Sequence, residues 1–81
     1  MKVTEGCLLA YRDWQVSHAI PLGNANNHVA YLRDFLAKTW HPSPYIAERL
    51  RGWFEEWLLT STAEPFQAEC NQMIEKLKKY G

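Results

Sequence analysis

Nowhere in this chain do apolar residues run for the ~18 positions that a membrane-spanning helix needs. Met1-Lys2 leads into no apolar stretch of the kind that opens a secretory signal. Both absences point to a cytoplasmic protein that stays out of the membrane. Charge of one sign is also missing: nine basic side chains face nine acidic ones. A nonspecific nucleic-acid binder works through a positive field that displaces counterions, so this balance argues against one. Cysteine is scarce, with Cys7 and Cys70 near opposite ends. Without a secretory signal they read as buried thiols in a reducing compartment rather than as a disulfide.

The chemistry-bearing motifs are missing as well. No glycine-rich loop could cradle a phosphate, and no serine sits in a glycine-flanked elbow. Structural zinc sites use ligand pairs two to four residues apart, and Cys7, His18, His28, His41 and Cys70 offer none. His18 reads instead as a half-buried imidazole, His28 as an exposed first-turn residue, and His41 as a loop residue near a helix C-terminus. A Cys7–His18 thiol nucleophile would need contact across about 16 Å of one helix. Glu55 and Glu56 are sequence neighbours, so on a helix they point in different directions and read as a solvated face. The expectation is a non-enzymatic protein with no metal and no cofactor.

What the chain does have is aromatic bulk. Four Trp, four Tyr and three Phe occur in 81 residues, and each buried one hides on the order of 150–250 Å². A domain this short encloses only roughly 60–65% of its unfolded surface. The supply of large side chains therefore exceeds what one small core is expected to hold.

The helix signals predict an all-α fold, a small three- or four-helix bundle, with residues 1–81 as a single helical domain. The first helix is expected over Glu5–His18 with Thr4 as N-cap, and Pro21 and Gly23 break it. Asn26 or Asn27 caps a second helix over His28–Trp40. Ser43 caps a third, with Pro44 at its first position, running to Leu59. Ser61 and Glu64 have capping-box spacing for a fourth helix reaching Lys79. At 100° per residue the apolar positions fall on stripes, and the core is expected to hold Leu32, Leu36, Trp40, Ile46, Leu50, Trp53, Trp57, Phe66, Cys70, Met73 and Leu77. The third helix, with the broadest stripe, is central. Gly52 inside it costs about 1 kcal/mol relative to Ala and is either a point of close approach or a tolerated weak spot. The first helix is apolar on two sides: Cys7, Tyr11, Trp14 and His18 on one, Leu9 and Val16 on the other.

These features support binding to another protein, in an accessory or inhibitor-like role, with a second copy of the chain (a homodimer) as one candidate partner. The expected contact residues are Leu9, Trp14, Val16, Ile20 and Leu22, with Tyr31 or Phe35 nearby, because exposed Trp and Tyr dominate interface energetics. The composition is one shared with many phage and prophage accessory proteins. The competing reading is a helix-turn-helix-like DNA-binding regulator, with Arg49 and Arg51 on the recognition helix and Lys76, Lys78 and Lys79 on phosphate. Glu48, Glu55 and Glu56 on that same helix oppose it. The run Leu50-Arg51-Gly52-Trp53-Phe54-Glu55-Glu56-Trp57-Leu58 resembles a stretch of the theta subunit family of bacterial replicative DNA polymerase III, small helical proteins that bind the proofreading subunit. Pro44-Tyr45 followed by Gly52-Trp53 resembles ribosome modulation factor at a shorter spacing and without its basic charge. Neither resemblance extends beyond these residues, and no site residue is carried over from them.

Overall fold

The computed structural model describes residues 2–80. Four α-helices, α1 (Glu5–Ser17), α2 (Leu22–Leu36), α3 (Pro44–Leu58) and α4 (Gln67–Lys78), form an all-α bundle, with a 3-10 segment over Ser61–Phe66 leading into α4. α1 packs against α2 and α3 against α4, giving two helical hairpins. The hairpins join where α1 meets α3 and where the 3-10 segment touches α1, α3 and α4. No helix among the described residues is long and apolar enough to cross a membrane.

Helix α1 starts where its cap predicts. The Thr4 hydroxyl accepts from the Cys7 N–H at 3.3 Å, and the Thr4 N–H and hydroxyl both donate to Glu69 at 2.6 Å. One residue thus caps α1 and ties it to α4. α3 also begins as expected, with the Ser43 hydroxyl accepting from the Ile46 N–H and Pro44 in the first turn.

Two boundaries differ from the sequence expectation. α2 begins six residues early and ends four residues early, over Leu22–Leu36 rather than His28–Trp40. Pro21 does not obstruct it, because Pro21 stands at the N-cap, where no N–H is needed, and its carbonyl accepts from the Ala25 N–H. Asn26 and Asn27 are ordinary exposed helix residues. The end comes at Lys38, which takes a left-handed backbone (φ 63°), with Thr39 N–H donating to the Asp34 carbonyl and Lys38 N–H to Phe35. α1 closes in the same way on Ala19 (φ 66°). This Schellman closure usually places glycine in the left-handed position. Lys38→Gly is therefore expected to raise stability by about 1 kcal/mol, visible as a higher thermal midpoint by circular dichroism.

At the third connection Thr60, not Ser61, occupies the cap position, and the Ser61–Glu64 capping box does not form. The Thr60 hydroxyl donates to the Trp57 carbonyl, and the Thr62 hydroxyl accepts from the Trp57 indole N–H at 3.0 Å. Pro65 lies inside the 3-10 segment, and α4 proper begins at Gln67.

The core is built on three stacked aromatic rings. Tyr11 lies flat on Phe54 (centroids 4.0 Å, 6° between planes), and Trp57 tilts against Tyr11 at 5.9 Å. Leu32, Leu50, Trp57, Cys70, Met73 and Leu77 are buried as expected. Leu36, Trp40, Trp53 and Phe66 are half-buried against that core. Ile46 is a correction: it is 38% exposed, because the open side of α3 is covered by no other helix. Leu8, Val29, Phe54 and Ile74 join the core too. Cys7 and Cys70 are both buried and free. Hydrogen bonding to Cys70, together with burial, pushes the Cys7 thiol well above its ordinary range.

Candidate partner-binding surface

α1 contributes less surface than its two apolar sides suggest. Cys7, Leu8, Tyr11, Trp14 and Gln15 are all buried. Trp14 and Phe35, both expected at a contact surface, are 6% and 7% exposed and belong to the core. Trp14 is enclosed because Trp53 meets it edge-on at 6.1 Å and His18 covers it at 4.5 Å. Phe35 is enclosed because Tyr80 packs edge-on against it. Leu9 and Ile20 are half-buried, while Val16 and Leu22 are exposed. The aromatic surplus lies elsewhere.

It lies where α2 and α3 diverge. After the loop that ends at Ser43, α3 is steered onto α4, so the side of α3 facing α2 keeps an open cleft of about 300 Å³. Tyr31 of α2 forms one wall, 44% exposed and stacked on Trp40 at 5.2 Å. Tyr45, Ile46 and Trp53 of α3 form the other, with Tyr45 66% exposed. Arg49 lies over the Tyr45 ring at 5.9 Å, a distance at which a guanidinium is attracted to the ring face. His28 sits in the floor and pairs with Gln15 at 3.0 Å. Burial and the facing Arg49 push its pKa below the ordinary value, which favours the neutral ring. The result is a groove with aromatic walls and one cation, Arg49, at its edge. Such a groove suits an apolar side chain with a polar neighbour.

Of the expected contact residues, only Tyr31 lines this cleft. Ile46 and Trp53 were missed because their stripe on the helical wheel reads as core, and Tyr45 because it lies off that stripe with no signal of its own. No local signal tells an outward apolar stripe from an inward one until the neighbouring helix is placed.

The residues weighed for nucleic acid stand in three different surroundings. Arg49 lines the cleft, and Arg51 pairs with Glu55 at 3.2 Å on the same helix. Lys78 pairs with Glu75. Lys76 and Lys79, with Lys38 and His41, border a hollow at the C-terminal ends of α2 and α4, where Tyr80 stacks on His41. Cations at helix C-termini are favoured by the helix dipole. Among the described residues no group of three or more His, Cys, Asp or Glu side chains is placed to hold a metal ion.

No protein-family model, curated protein or solved structure matches the chain, so what this surface can do is read from its own chemistry.

Proposed function

We propose that this chain is a non-enzymatic, accessory or inhibitor-like protein that works by binding another protein through the cleft between α2 and α3. The observation that carries this reading is the exposure of Tyr31, Tyr45 and Ile46 on facing walls of one groove, backed by half-buried Trp40 and Trp53. Aromatic side chains hide large area at little conformational cost, which is why they anchor interfaces. Exposed apolar groups gathered in one place, rather than scattered singly, mark such surfaces.

The test is site-specific photo-crosslinking in the native host, with a photoreactive residue in place of Tyr31 or, as control, of exposed Asn71. The expected result is one discrete protein adduct from position 31 and none from position 71. The captured protein, purified, should then bind the unmodified chain, and Tyr45→Ala should weaken that binding about tenfold or more without moving the thermal midpoint. Equal labelling at both positions, or binding indifferent to Tyr45, would overturn the reading.

A further inference from the structure

A second feature of α3 lies on its outward side. Tyr45, Arg49, Gly52, Glu56 and Leu59 recur at alternating spacings of four and three, the spacing of a helix seam that meets another helix. Among the described residues, no other helix covers this seam. Leu59 is 88% exposed and Tyr45 66%, and they stand at its two ends. Between them is a shallow hollow of about 370 Å³ bordered by Tyr45, Glu48, Arg49, Gly52, Trp53 and Glu56.

Gly52 is the puzzle this seam resolves. It sits mid-helix, where glycine costs about 1 kcal/mol relative to alanine. A Cβ added there would meet no atom within 4 Å, so nothing inside the protomer requires glycine. The charges are also unassigned. Arg49, Glu48 and Glu56 take part in no salt bridge among the described residues, although Arg51 and Glu55 on the same helix pair with each other.

We infer that the outward seam of α3 is the interface with a second copy of this chain, packed antiparallel about a two-fold axis at Gly52. The inference rests on the reading above that the exposed apolar residues of α3 serve a protein contact, and it names one partner. A two-fold contact must be self-complementary, and this seam is. With the axis at Gly52, Arg49 of each copy meets Glu56 of the other, twice over, and Tyr45 of each covers Leu59 of the other. On the wheel, Arg49 and Glu56 lie on the same flank of the Tyr45–Gly52–Leu59 line and Glu48 on the opposite flank. The reciprocal Arg49–Glu56 pairs are therefore attractive, while on the opposite flank Glu48 meets Glu55 of the second copy, a carboxylate that Arg51 already neutralises within its own helix. Glycine at the axis lets the two backbones approach closely. One pair of short helices buries less than the roughly 1,200 Å² at which standard specific interfaces begin, so the dimer is a weak one that dissociates on dilution.

Sedimentation equilibrium across a concentration series tests this. The unmodified chain should approach twice its 9.5 kDa mass. Arg49→Glu alone and Glu56→Arg alone should each weaken self-association about tenfold or more, because each places like charges together. An equimolar mixture of the two variants should associate again, and so should the double variant. Gly52→Gln should abolish association while its helical circular dichroism stays intact. A chain that remains monomeric throughout, or a dimer indifferent to both reversals, or a mixture that fails to recover, would overturn the inference. Tyr31→Ala lies off the seam and should leave self-association unchanged. A monomer that still gives the discrete position-31 adduct would sink the dimer and leave the cleft reading standing.

Discussion

Truncating Trp57 to alanine is expected to cost about 3–5 kcal/mol. A folded chain holds roughly 0.05–0.15 kcal/mol per residue, or about 4–12 kcal/mol over 81 residues, so this change takes a quarter or more of the total. Trp57 is fully enclosed and touches Tyr11, Phe54 and Phe66, side chains from α1, α3 and the 3-10 segment. Its loss opens a cavity at the junction of the two hairpins and removes the indole N–H bond to Thr62. Urea unfolding followed by circular dichroism should show a large drop in midpoint or no cooperative transition at all. Leu59→Ala, at an exposed position and measured at a dilution where the chain is monomeric, provides the contrast and should change stability by less than about 0.5 kcal/mol. Similar effects at Trp57 and Leu59 would contradict this account of the core.

Tyr11 should make the bundle sensitive to alkali. Its hydroxyl is buried and finds no hydrogen-bond partner among the described residues. Burial, and to a lesser degree the neighbouring Cys70 sulfur, holds its pKa well above the ordinary tyrosine value. The unfolded chain releases this proton near pH 10, whereas the folded chain keeps it. The unfolded state then binds fewer protons, so stability present below pH 10 is lost as pH rises through the interval up to the folded value. The loss is about 1.4 kcal/mol per pH unit. Tyr11→Phe removes the share of the alkaline slope that Tyr11 contributes, leaving that of the raised Cys7 thiol, and keeps the ring on Phe54. It should also raise stability near neutral pH by about 1 kcal/mol, since a buried hydroxyl without a partner is costly. Denaturant titrations at pH 8 and above pH 10 read both effects. An unchanged alkaline slope in the variant would show that Tyr11 is not the group responsible.

Much of this architecture was legible in the chain, and the exceptions have physical causes. Thr4, Ser43 and Pro44 announced their helix starts because side-chain caps leave a residue-type signature. The closures at Ala19 and Lys38 did not, because the left-handed position that glycine normally marks is held by other residues. Reading Pro21 and Gly23 as a break moved the start of α2 too far along. Both are compatible with a first turn, where backbone N–H groups have no helical partner. The core positions read from period alone were right where a helix is covered, as at Leu50, Cys70 and Leu77. They failed where it is not, as at Ile46. The same ambiguity placed Trp14 and Phe35 on the expected contact surface, where Val16, Leu22 and Tyr31 are indeed exposed but the two most exposed large apolar side chains are Tyr45 and Leu59. The meeting of Cys7 and Cys70 left no local signal, since the two stand near opposite ends of the chain and come together only when α1 and α4 share one core.

The division into two hairpins gives the helices unequal tenure. α2 leans chiefly on α1, whereas α3 is gripped by α4, the 3-10 segment and α1 together. Local opening follows the least-held unit, so α2 is the helix that can lift while the rest stays assembled. One wall of the aromatic groove is thereby held by fewer neighbours than the other. An incoming side chain larger than the resting gap meets less resistance from the Tyr31 wall than from α3, at the cost of loosening Val29 and Leu32 from the core.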